Sequence, residues 1–260
     1  MISNLIRLSN YRYFLFMWVV REINLRYKQA FLGATWAILQ PLVLTFIFTV
    51  IFSRFLKVPT DGIPYPLFSY TALLPWTFIA SSITFGTSSL VNNMNLVTKV
   101  NVPREVLPIA SVGGSLVDFA ASSLVFIGLL FFYRVPIHAT ILWIPYLILV
   151  QICLAIGVTL LLSTLNVFYR DIRFAVPLAI QIWMYASPVI YPLSSVPEKL
   201  QPLYLLNPAA GLIESYRSVI LRGEPPLPVY LIPMTLISII FLVFSYLFFK
   251  RLEWRFADVI

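Results

Sequence analysis

Long runs without charge set the layout of this 260-residue chain. Six runs lie at about 36–53, 67–91, 109–133, 141–168, 174–191 and 230–249, all free of charge except the third, which holds Asp118. Each is close to the roughly 20 residues a helix needs to cross a ~30 Å hydrocarbon core. The runs are continuous rather than alternating, which disfavours a barrel of ~10-residue strands. The pattern predicts an all-α integral membrane protein of six transmembrane helices. Residues 1–35 form a separate cytoplasmic and interfacial segment, and residues 36–260 one transmembrane domain.

Three segments outside these runs carry patterns of their own. Residues 1–30 mix Arg and Lys with Phe14, Leu15, Trp18 and Val19, which predicts an amphipathic helix in the inner-leaflet interface. A disordered basic tail is the alternative, disfavoured by the aromatic content. "YFLFMWVV" at 13–20 is too short to span, and charges follow at once, so no cleavable signal peptide is expected. Between runs five and six, "SVPE" at 195–198 reads as a capping box and "NP" at 207–208 as a second helix start. Leu212, Ile213, Tyr216, Val219 and Ile220 then share a face, and Gly223 stops the helix. Two short outer amphipathic helices are expected there. In "TKVNVPREVLPI" at 98–109, Asn101 or Thr98 can cap a short helix with Pro103 in its first turn. Pro108 would separate that helix from the third span; a plain connecting loop is the alternative.

Composition supports the membrane reading: 60% of residues are hydrophobic and 11% charged, against about 25% in soluble domains. The formal charge of +8 orients the chain. An even number of spans puts both termini on one side, together with the 2–3 and 4–5 loops. That side carries twelve of the Lys and Arg residues and the other side six. The positive-inside rule therefore places both termini in the cytoplasm. The same excess points to anionic lipid headgroups, not nucleic acid.

Catalytic chemistry is sparse. There is no G-x-x-x-x-G-K-[ST] phosphate loop, no His–Cys cluster and one histidine, His138, in an outer loop. The single Cys153 excludes an internal disulfide. No metal or cofactor is expected in this chain. Gradient-driven carriers usually bury several ionisable groups, and the spans hold Asp118 alone, among Gly113, Gly114, Ser115, Ala120, Ala121, Ser122 and Ser123. Asp118 reads either as a polar pore residue or as a buried acid bonded to a neighbouring helix. One acid is thin support for a gradient-driven carrier, so an external motor gripping a stiff cytoplasmic element is the better expectation. Arg104 and Glu105 offer it salt-bridge partners.

Three stretches carry a resemblance to a known family. They are "REINLRYKQAFLGATWAILQPL", "NLVTKVNVPREVLPI" and "TLNVFYRDIRFAVPLAIQIWMYASPVIYPLSSVPEKLQPLYLLNPAAGLIESYRSVILRG". They resemble ABC-type polysaccharide-export permeases, which belong to the type-2 ABC exporters of O-antigen, capsule and teichoic-acid chains. The resemblance runs from about Arg21 to Lys250, and "SPVIYP…VPEK…LNP" is its most specific part. It implies a homodimer in the bacterial inner membrane bound to two cytoplasmic ABC ATPase subunits, which carry the ATP and Mg. It also implies a lipid-linked glycan passing between the halves. It makes Lys99, Asn101, Pro103, Arg104 and Glu105 the coupling element. The outer helices become exit gates, with Pro197, Glu198, Asn207, Pro208, Glu214 and Arg217 as candidate residues.

Sugars stack their C–H faces on aromatic rings, and aromatic residues are 16% of the chain. Trp183, Ser187 and Tyr191 share a helical face in span five, and Trp36 and Gln40 lie in span one; with Asp118 they are the channel candidates. For any single ring, packing in the membrane core or belt is the alternative. A drug or lipid exporter permease is the nearest competing function. A lipid-linked sugar transferase would need clustered acids or histidines, and a scaffold would not need the capped cytoplasmic element.

Overall fold

The computed structural model describes residues 11–28, 30–60, 62–100 and 102–256, and all regular structure among them is helical. Helix α1 (Arg12–Tyr27) is followed by α2 (Thr35–Phe48), which widens into a π-helical turn over Thr49–Phe55. Next come α3 (Tyr65–Thr87), the short α4 (Met94–Lys99), α5 (Val106–Phe132) and α6 (Ile144–Phe168). The chain ends with α7 (Ile172–Tyr185), α8 (Gln201–Leu205), α9 (Pro208–Arg217) and α10 (Pro228–Leu252).

Four stretches are long and apolar enough to cross a bilayer: Thr35–Phe55, Val106–Phe132, Ala139–Phe168 and Pro228–Arg255. They fall on the first, third, fourth and sixth expected spans. The second is α3, whose 23 residues reach about 34 Å. It is buried on nearly every side, from Leu67 and Tyr70 to Ile79 and Ile83. A helix that is apolar all round needs such a sheath. Here α2, α5, α6, α7 and α9 supply it. Its hydroxyls turn back onto the helix: Thr71 donates to the Leu67 carbonyl at 2.7 Å and Thr87 to that of Ile83 at 2.6 Å. Helix α10 lies along α6, and a Cβ at Gly157 would meet the Leu242 Cα at 3.0 Å, so the absent side chain sets how closely they cross.

The fifth span departs from expectation. The sequence predicts a continuous helix over 174–191, but α7 stops at Tyr185 after 14 residues, about 21 Å. Pro188 is the cause. It offers no N–H and pushes Ser187 out of the α region. Trp183, Ser187 and Tyr191 therefore do not share a helical face: the first is in α7, the second in the turn after it, the third in the bend beyond.

Two predicted helix starts also move. No helix opens at the 195–198 capping box. A single 3-10 turn covers Leu193–Ser195, Val196 is extended before Pro197, and α8 begins at Gln201 with Pro202 in its first turn. In the 98–109 stretch the short helix precedes the predicted cap: Thr98 lies inside α4 and donates to the Met94 carbonyl at 2.9 Å. Asn101 lies outside the described residues. Pro108 does not divide this region from the third span; it sits in the first turn of α5, where no N–H is needed. The other two signals hold. Asn207 caps α9 through its side chain, accepting from the Ala209 N–H at 3.1 Å, and Gly223 ends the following turn at φ +69°.

A polar cavity, its ion pair and the clamped outer segment

Helices α1, α2, α3, α5 and α7 enclose a cavity of about 620 Å³. Its wall alternates rings with neutral polar groups: Trp36 and Gln40 from α2, Trp76 and Phe85 from α3, Gln181 from α7. Trp36 is 49% exposed, so its indole faces open space. Three of the channel candidates, Trp36, Gln40 and Asp118, are brought together here. Trp76, Phe85 and Gln181 were missed; they lie in apolar runs with nothing to set them apart from core residues.

Asp118 is held at one end of the cavity. Its Oδ2 accepts from the Arg26 guanidinium at 2.9 Å and its Oδ1 from the Tyr27 hydroxyl at 2.8 Å. Arg26 also donates to Ser115 Oγ at 3.2 Å and to the Ser111 carbonyl at 2.9 Å. Its guanidinium carbon lies 3.8 Å from the Phe85 ring centre. Burial presses the Arg26 guanidinium below its usual range, and Asp118 and Glu22 oppose that shift. Of the two readings of Asp118, the structure favours the acid bonded to a neighbouring helix. It fastens α1 to α5, although its carboxyl still borders the cavity. On the rest of α1, Phe14 and Trp18 stack at 5.4 Å and Arg21 caps the Trp18 ring at 4.3 Å. Trp18 also packs against the buried cluster of Leu90, Val97, Leu107 and Phe249. Burial also raises the Glu22 carboxyl, against the pull of Arg26 and Arg21.

Trp183 stands outside the cavity wall. Its Nε1 donates to Asn207 Oδ1 at 2.9 Å, and its ring meets Trp76 edge to face at 5.6 Å. Asn207 in turn donates to Ser187 Oγ at 2.9 Å and the Ala186 carbonyl at 3.1 Å. The Tyr191 hydroxyl pairs with that of Tyr204 at 2.7 Å. Arg217 is 1% exposed. It donates to the carbonyls of Val189 at 3.0 Å and Tyr191 at 3.4 Å and lies 3.6 Å from the Phe68 ring centre. Tyr65 donates to the Ile190 carbonyl at 2.8 Å. Four successive or near-successive carbonyls between 186 and 191 are thus met by side chains of Asn207, Arg217 and Tyr65. Buried backbone outside a helix requires such partners in a membrane. Glu214 pairs with Arg222, Pro208 is buried in the first turn of α9, and Pro197 and Glu198 are exposed.

The coupling candidates divide. Lys99 is exposed and Pro103 buried. Glu105 is 1% exposed and accepts from Lys250 Nζ at 2.7 Å, and Arg104 donates to the Glu253 carbonyl. Arg104 and Glu105, expected to reach outward to a partner, instead bind the end of α10. Among the described residues no group of His, Cys, Asp and Glu could hold a metal.

The ABC-2 type transporter profile matches residues 13–221. An O-antigen export system permease protein of Klebsiella pneumoniae is 30% identical over 241 residues, 92% of each chain. One from Myxococcus xanthus is 30% identical over 257 residues, 97% of each chain. A polysialic acid transport protein of Escherichia coli is 23% identical over 212 residues, 78% of this chain and 80% of its own. With most of its length matched by that profile and nearly all of it by those permeases, this chain belongs to the ABC-2 type transporter family.

Proposed function

We propose that this chain is the membrane subunit of an ATP-driven exporter that moves a lipid-linked polysaccharide out of the cytoplasm. It works as a homodimer of six-span subunits in the bacterial inner membrane, with both termini inside and two copies of a separate ATPase attached. The end-to-end similarity to O-antigen export permeases carries the reading. The cavity supports it: the half-exposed indole of Trp36 suits the C–H face of a sugar ring, and the amides of Gln40 and Gln181 suit its hydroxyls. Many weak contacts fit a sliding polymer better than one tight site. Helices α8 and α9 form the outward side, joined to the end of α7 by the clamped 186–192 segment.

The test uses proteoliposomes containing this chain alone or with its co-purifying ATPase. The pair should carry lipid-linked glycan across the bilayer when ATP is supplied; the chain alone should neither bind nor hydrolyse ATP. ATP hydrolysis by the isolated chain would end this reading. Movement of small amphipathic drugs without glycan would hand it to the drug or lipid exporter alternative. Cysteines at Ser3 and Ser195 in a Cys153→Ala background should label from opposite sides; labelling of both from outside would remove the topology.

A further inference from the structure

A second pocket, of about 540 Å³, lies between the stretch leading into α5 and the C-terminal end of α10. One wall is the elbow after α4, with Lys99, Pro103 and Arg104; the other is the last turn of α10 and the residues after it, with Lys250, Glu253 and Trp254. The walls share one apolar floor, because Val97 and Leu107 pack in the same buried cluster as Phe249 and Phe256. They are also bolted directly. Lys250 Nζ sits between Glu105 Oε1 at 2.7 Å and Glu253 Oε2 at 2.9 Å, and the Arg104 guanidinium donates to the Glu253 carbonyl.

The charges around this pocket do not balance. Lys250 is matched by two carboxylates. Arg104 meets only a backbone carbonyl, and no acid pairs with Lys99 among the described residues. Three cations thus face two carboxylates, and the one surplus positive charge sits on the rim at Lys99 and Arg104, next to the indole of Trp254, which is 62% exposed. We infer that this pocket is one composite docking surface that receives an acidic side chain of the cytoplasmic ATPase subunit, with the C-terminal end of α10 forming half of it. The inference rests on the reading of this chain as the permease of an ATPase-driven exporter. It extends that reading from the 98–105 stretch to residues 250–254. A partner seated here bears on the start of α5 and the end of α10 together, because the shared floor and the Lys250 bridge prevent either from yielding alone.

The experiment places a photo-activatable benzophenone side chain at position 254, and separately at position 99, in the full chain co-expressed with its ATPase. Both positions should cross-link to the ATPase. Lys99→Glu combined with Arg104→Glu should lower the amount of co-purified ATPase severalfold. An acidic-to-Lys change in the cross-linked ATPase segment should restore it. Cross-linking from 99 but not from 254 would overturn the composite surface and leave the exporter reading standing. So would cross-links from 254 that reach only lipid or this chain's own residues 257–260. Failure of any ATPase to co-purify or cross-link at either position would remove the exporter reading itself.

Discussion

The Trp183 indole donates to Asn207 Oδ1 at 2.9 Å, joining the last turn of α7 to the first turn of α9. The ring is therefore a fastener between two helices rather than a free face on a channel wall. Trp183→Phe should keep the edge-to-face contact with Trp76 and lose the indole hydrogen bond, while Asn207 Oδ1 keeps the Ala209 N–H, at a cost of about 0.5–1.5 kcal/mol. Asn207→Ala removes the helix cap as well, worth about 1 kcal/mol by itself. Thermal unfolding in detergent should show both losses, and the double variant should lose less than their sum. Full additivity would mean the two side chains do not interact.

Export should respond to a different ring. Trp36 is half exposed inside the main cavity, so Trp36→Ala should slow glycan transport while leaving expression and melting temperature near wild type. Trp36→Phe should restore most of the rate. A stable Ala variant with normal transport would take Trp36 off the sugar path.

Asp118 and Arg26 form a pair in which the arginine side chain is 5% and the acid 18% exposed. Removing one partner leaves a charge without compensation, typically about 3 kcal/mol or more. Asp118→Ala should therefore loosen α1, seen as faster protease cleavage ahead of residue 30. Arg26→Met with Asp118→Leu should recover stability better than Asp118→Ala alone.

Glu105 is buried against Lys250, so reversing its charge should not produce a folded, uncoupled exporter. Glu105→Lys is expected to reduce the yield of folded protein, and Glu105→Lys with Lys250→Glu to recover part of it. A well-folded Glu105→Lys variant defective only in ATPase coupling would return Glu105 to the partner surface.

Much of the helix layout was legible in the charge-free runs. The 109–133 run corresponds to Val106–Phe132 and the 230–249 run to Pro228–Leu252, because charges at Arg104 and Glu105 and at Lys250 and Arg251 bound the apolar runs. The early end of α7 was legible too, in Pro188, but the apolar character of "SPVIY" outweighed it. What could not be read were the long-range pairs. Arg26 and Asp118 lie 92 positions apart, and no periodicity connects an interfacial arginine to an acid on another helix. The same holds for Glu105 and Lys250, whose charges looked like surface features until the fold brought them together.

The brevity of α7 alters the insulating layer on one side of the subunit. Helices α5 and α10 run for 27 and 25 residues, but α7 for only 14. At 1.5 Å per residue it leaves about 9 Å of a ~30 Å core to the non-helical 186–192 segment. A helix bonds its own backbone, whereas this segment depends on Asn207, Arg217 and Tyr65 for its carbonyls, so losing any one of those side chains would bare polar backbone along the α7 edge that no neighbouring turn could cover.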